Sequence, residues 1–143
     1  MLFSTALSLI QVLGTLLVNG SAAQPVVLDG LGVAASAVYR GVPGNGASGS
    51  ASVSFAIVRN FAGAALVNVQ TVASSNFSLN AQAVLVESAM YTTIVASSRF
   101  TQNGLGTDLF AVDCPSNFYA NIQLADCFFA DQPRAFRLSL IHI

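Results

Sequence analysis

Apolar and polar residues alternate with a period of two along most of this chain, and stretches with a period of 3.6 are scarce. In Ala51-Ser52-Val53-Ser54-Phe55-Ala56-Ile57-Val58 the pattern places Val53, Phe55 and Ile57 on one face, with Ser52 and Ser54 on the other. Leu66 to Val72 sets Val67, Val69 and Thr71 against Asn68, Gln70 and Val72, and Phe77 and Leu79 bracket Ser78. Ala83–Val86 and Tyr91–Val95 are β-branched runs. Phe118, Ala120, Ile122 and Leu124 alternate with Tyr119, Asn121 and Gln123, and Ala135-Phe136-Arg137-Leu138 closes the series. Between these runs lie the Gly-, Asn- and Ser-rich stretches 41–50, 60–63, 73–76 and 103–106, whose residues supply turns. Short strands at steady spacing predict an all-β fold, an antiparallel β-sandwich with Greek-key connections. Asn80 to Met90 is the one downstream segment with helix-forming composition.

The N-terminus breaks the pattern. An apolar stretch from about Ala6 to Val18 is followed by a polar patch and by Ser21-Ala22-Ala23, a small-x-small exit before Gln24-Pro25. This predicts a helical signal peptide over 1–23 and a secreted, extracellular protein. The n-region has no Lys or Arg, and a buried N-terminal helix of the finished fold is the competing reading. Gln11 and Gly14 interrupt the run, so it is too short for a stable membrane anchor, and no second span follows. The expected organisation is a leader over 1–23, one domain over 24–137 and a separate tail over 138–143. The tail ends in Ser139-Leu140-Ile141-His142-Ile143, which resembles translated sequencing adapter. A genuine closing strand is the other reading.

Charge is sparse. Five arginines and six acids give a net charge of −1, and Lys is absent. There is no basic stripe to neutralise phosphates, so nucleic acid is not an expected partner. With 54% hydrophobic residues, the surface must be built largely from Ser, Thr, Asn, Gln, Gly and Ala. Such a surface is weakly protected against self-association. An even cysteine count in an exported chain predicts a Cys114–Cys127 disulfide, worth on the order of 3 kcal/mol for a loop of this size. Asn76-Phe77-Ser78 is an N-glycosylation acceptor sequence.

Candidate chemistry is thin. His142 is the only histidine and falls in the tail, so no Ser-His-Asp or Cys-His arrangement and no histidine metal site can be assembled in the body of the chain. No cofactor and no metal are expected, and the chain reads as no enzyme. Asp108, Asp113, Asp126 and Asp131 are the densest acidic group. They read as solvated turn residues, with a calcium site or a pair of glycosidase carboxylates such as Asp113 and Asp126 as the sharper alternatives. The aromatics concentrate after Phe100, and Tyr119 and Phe128 are the candidates for an exposed row that binds sugar rings or lipid.

The stretch Gly44-Asn45-Gly46-Ala47, Ala51-Ser52-Val53-Ser54-Phe55 and Ser74-Ser75-Asn76-Phe77-Ser78-Leu79 resembles the pattern of phylloplanin-like and olive-pollen-allergen-like secreted plant proteins, and of prealbumin-like sandwich domains more widely. The resemblance covers about a quarter of the chain, and the cysteines those families place near the first and second strands are missing around Ala37 and Val58. It implies a prealbumin-like sandwich and a surface protein of plant defence without a catalytic site. The expected function is a secreted, non-catalytic surface or interaction protein, in plant-surface defence or an extracellular matrix, with an extracellular surface or itself as partner. The alternatives are a module that binds polysaccharide or lipid, and an aspartate-based glycoside hydrolase.

Overall fold

The computed structural model describes residues 1, 10–40, 49–87, 92–105, 109–115 and 121–137. Tyr119, Asp108, His142 and the tail 138–143 lie outside these residues. The chain winds in coils of three strands. The first coil is β1 (Ile10–Val12), β2 (Thr15–Asn19) and β3 (Val26–Asp29); the second is β4 (Val38–Arg40), β5 (Ser50–Ser54) and β6 (Ala56–Arg59). The third is β7 (Ala64–Val67), β8 (Thr71–Ala73) and β9 (Asn76–Ser78), and the fourth is β10 (Gln82–Leu85), β11 (Thr92–Ala96) and β12 (Arg99–Thr101). The fifth is β13 (Val112–Asp113), β14 (Asn121–Ala125) and β15 (Phe128–Ala130), and β16 (Phe136–Arg137) opens a sixth.

Each strand pairs in parallel with its counterparts in the neighbouring coils. Three sheets result, in the orders β1-β4-β7-β10-β13-β16, β2-β5-β8-β11-β14 and β3-β6-β9-β12-β15. This is a three-faced parallel β-solenoid. The all-β expectation holds, but the antiparallel sandwich does not, and neither does the prealbumin-like topology that the resemblance implied.

The reason lies at the corners. Phe55 has φ 48° and does not continue the strand. The alternation therefore slips by one there: Ala51 and Val53 point inward before it, Ala56 and Val58 after it, and all four are buried. Ile57, which the uninterrupted pattern put on the face of Val53, points outward. Ser74, Ser97 and Asp126 stack beneath Phe55 with φ from 48° to 52°, and Asn60, Leu79, Gln102 and Asp131 form a second column with φ from 52° to 59°. A left-handed residue between two extended segments turns the chain into the next sheet without reversing it. Period two reads the same in parallel and antiparallel strands, so only these single-residue corners carried the distinction, and none is a glycine.

Non-glycine residues in this region are strained. The ladder continues through the corners and offsets the cost. Phe55 N–H donates to Ala73 O, Ser74 N–H to Ala96 O and Ser97 N–H to Ala125 O, at 2.9–3.1 Å. The second corner column repeats the scheme, with Asn60 donating to Ser78 O, Leu79 to Thr101 O and Gln102 to Ala130 O.

Inside, like residues stack on like. Val18, Val53, Val72, Val95 and Leu124 form one column, and Leu28, Val58, Phe77, Phe100 and Phe129 another. The rings of Phe77 and Phe100, and of Phe100 and Phe129, stack with centroids 4.8 Å apart and planes within 8° of parallel. That distance is the spacing between paired strands, so the backbone sets the aromatic geometry. Asn80 and Asn103 are fully buried at successive levels. Asn80 Nδ2 donates to Val58 O and to Asn103 Oδ1, Asn80 N–H also donates to Asn103 Oδ1, and Asn103 Nδ2 donates to Phe77 O. Gln132 extends the ladder, its Oε1 accepting from Asn103 N–H.

The first coil also replaces the expected N-terminal helix. Ile10–Val12 and Thr15–Asn19 are strands, and Val12 and Val18 are buried in the core. Two short apolar runs around Leu13-Gly14 suit two strands and a bend, and the parallel edges of β4 and β5 supply their hydrogen-bond partners. Asn80 to Met90, the helix-forming segment, contributes β10 to the first sheet. Its β-branched Val84 fills the inward column opposite Leu66 and Val112.

Asn103→Ala removes the acceptor of the Asn80 N–H, one of the two acceptors of Asn80 Nδ2 and a donor to Phe77 O, all in the interior. It should cost at least about 3 kcal/mol in urea unfolding. Gln123→Ala, on an exposed outward position, should stay within about 0.5 kcal/mol.

Candidate interaction surface

The two cysteines occupy different corners. Cys114 follows β13, buried beside Val86, and its N–H donates to Arg137 O. Cys127 sits between β14 and β15 at the level-by-level position held by Ser75 and Ser98. Ser75 and Ser98 hydroxyls donate to Ala73 O and Ala96 O, and Cys127 Sγ lies 3.4 Å from Ala125 O in the same role. No disulfide joins the two, so the expected disulfide is corrected: the solenoid gives each cysteine its own place in a ladder.

The aspartates are likewise dispersed. Asp113 is 2% exposed, with Oδ1 accepting from Arg137 Nε and Oδ2 from Arg137 Nη2 and Gln82 Nε2, each at 2.8 Å. Asp126 and Asp131 are corner residues with positive φ, an assignment their short polar side chains suit. Among the described residues no group of three His, Cys, Asp or Glu side chains is placed to hold a metal ion. Of the two candidate aromatics, Phe128 is placed. It is 53% exposed on the outward face of the third sheet, with the Arg99 guanidinium 4.7 Å from its ring centroid. Asn76 lies exposed on the same face, one register step from Arg99.

The three outward faces differ in chemistry. The first sheet's carries the Asp113–Arg137 pair and a hydrogen bond from the Tyr39 hydroxyl to the Glu87 carboxylate. The third sheet's carries Arg59, Arg99 and the Asp29–Arg59 ion pair at 2.7 Å. Among the described residues, the strands of the second sheet carry no charged residue. One of its rows across the coils is Leu17, Ser52, Thr71, Ile94 and Gln123, and the next is Asn19, Ser54, Ala73, Ala96 and Ala125. Leu17 and Ile94 are exposed, and Ser54 Oγ donates to Asn19 Oδ1 at 2.8 Å. Sequence reading found Ser52, Ser54 and Gln123 as polar alternants, but it set Thr71 with Val67 and Val69 and placed Leu17 and Asn19 in the leader, and without the coil register it could not collect these residues onto one surface.

A concave, open groove of about 490 Å³ runs along the corner between the third and first sheets, lined by Leu31, Asn60, Phe61, Leu79, Ala81 and Leu105 among others. Leu31, Leu79 and Leu105 are each about half exposed. Gly30 is required beneath it, because a Cβ there would lie 2.6 Å from Asn60 O. Asp29, 4% exposed, ties the groove's rim together by accepting from Leu31 N–H and Asn60 Nδ2 as well as Arg59 Nε. Burial works to raise its pKa, but the Leu31 N–H, the Asn60 amide and the Arg59 guanidinium overcome it and hold the carboxyl below the usual carboxylate range.

No helix among the described residues is long and apolar enough to cross a membrane. Comparison of the chain with protein-family models, curated proteins and solved structures gives no match.

Two outcomes follow from these contacts. The intact mass of the unreduced chain should equal that of the reduced chain, with Cys127 alkylated well before Cys114. Because the Asp29 pKa is lowered in the folded state, its stabilisation is present above the unfolded value of about 3.9 and is lost as pH falls through the lowered one. Asp29→Asn should cost about 1–2 kcal/mol near neutrality, and the gap to the unsubstituted chain in urea titrations should close in acid.

Proposed function

We propose that this chain is a non-catalytic interaction protein that attaches to an uncharged, hydroxyl-rich surface, a neutral polysaccharide, through the outward face of its second sheet. The observation that carries the reading is the chemistry of that face: five parallel strands present hydroxyls, amides and methyl groups and no formal charge. A neutral polysaccharide offers hydroxyls for hydrogen bonding and apolar ring faces for contact with methyl groups. Neither demands charge, and a buried unpaired charge at such a contact would be costly. A sheet face held by in-register stacking is also rigid before contact, which limits the ordering cost of attachment.

An exported, matrix-associated setting suits this surface. The dispersed aspartates and the engagement of both Asp113 oxygens by Arg137 and Gln82 favour attachment over hydrolysis.

Co-sedimentation with insoluble cellulose and chitin tests the proposal. The unsubstituted chain should be retained, and Thr71→Glu and Ile94→Glu should each reduce retention about tenfold or more, in line with loss of a central contact. Thr101→Glu, on the third sheet, should not. Retention that is absent, or equally sensitive to the third-sheet substitution, overturns the reading.

A further inference from the structure

The third sheet's strands line up two rows across the coils that alternate with its inward column. One is Val27, Ile57, Asn76, Arg99 and Phe128, and the other is Asp29, Arg59, Ser78, Thr101 and Ala130. Arg99 is exposed and makes no ion pair among the described residues. Its guanidinium rests on the Phe128 ring, 4.7 Å from the centroid, a contact that holds the side chain without neutralising it. Arg59 is about half exposed, while the Asp29 carboxylate beneath it is buried. The pair meets through Arg59 Nε alone, so the two terminal nitrogens of Arg59 are unengaged among the described residues. In these two rows the cations are accessible and the one carboxylate is not.

We infer that this face binds an acidic polysaccharide, with Arg99 and Arg59 each taking a carboxylate of the same polymer. The guanidinium fork matches a carboxylate in shape and charge. The two arginines stand diagonally, two strands and two residues apart, which separates their Cα atoms by roughly 12 Å. That span suits two carboxylates along a chain and is too wide for two oxygens of one small anion. Between them β9 presents Asn76 and Ser78, with Thr101 beside Ser78 on β12, and these amide and hydroxyl groups suit sugar hydroxyls. Phe128, 53% exposed, and Ile57 lie at the two ends of the central row and offer apolar contact to ring faces. Two cations are too few to neutralise the phosphate run of a nucleic acid. The surface is separate from the uncharged second-sheet face, so one molecule can hold a neutral and an acidic polymer at once and bridge them.

Affinity electrophoresis of the full chain at low ionic strength, in native gels containing polygalacturonate, tests the inference. The unsubstituted chain should be retarded, and Arg99→Gln should weaken the retardation about tenfold. Added salt should weaken it too, because the contact is exposed. Arg134→Gln, which removes the same charge from the last turn, should change it little, and fully methyl-esterified polygalacturonate should give no retardation. Arg99→Gln should leave retention on cellulose and chitin unchanged, so either surface can fail its test while the other stands. Absent retardation, equal sensitivity to Arg134→Gln, equal retardation by the methyl ester, or stronger binding to phosphatidylserine vesicles than to polygalacturonate would each overturn it.

Discussion

Everything in this molecule depends on in-register parallel stacking of one coil on the next. The hydrogen bonds between strands fix both the direction and the spacing of the stack. Once they are fixed, a residue's neighbours above and below are decided by register alone. Phe77 meets Phe100, Asn80 meets Asn103 and Ser75 meets Ser98 because their backbones are paired. The side chains then reinforce the pairing that brought them together: rings stack at the strand repeat, and amides hand hydrogen bonds from level to level in the interior.

The same constraint explains why polar residues are tolerated at the core. A buried amide without partners is costly. Here the repeat supplies them, since each level presents backbone groups in the same place. The interior is consequently two materials side by side, an apolar filling of Val, Leu and Phe columns and a hydrogen-bonded edge of Asn and Ser. Substitution in the first opens a cavity, and substitution in the second strands a donor or acceptor.

Much of the strand content was legible from alternation, and much of the architecture was not. Val53, Phe77, Val84 and Val95 fall in runs that read as strands, and each lies buried in one. Phe55 misled, because an aromatic between two β runs looks like part of one strand when it is a left-handed corner. Ile10 to Val18 misled in the other direction, since a compact apolar run near Met1 suits a leader helix as well as two short strands. The Cys114–Cys127 pairing failed for a reason of register: the positions are neighbours along the chain but belong to separate corners. The uncharged face was invisible for the same reason, its members being scattered over five coils and meaningless until stacked. The deficit of charge that composition did reveal is what the second sheet concentrates into one plane.

The corner between the second and third sheets is short in every coil after the first: a single residue separates β5 from β6, and two separate β8 from β9, β11 from β12 and β14 from β15. The connections elsewhere vary widely in length. Mutational insertion is therefore filtered by position, rejected where the winding is timed and absorbed where it is not. A lineage built on this scaffold can remodel two of its three seams, acquiring new loops and new specificities there, while the third keeps every level in phase.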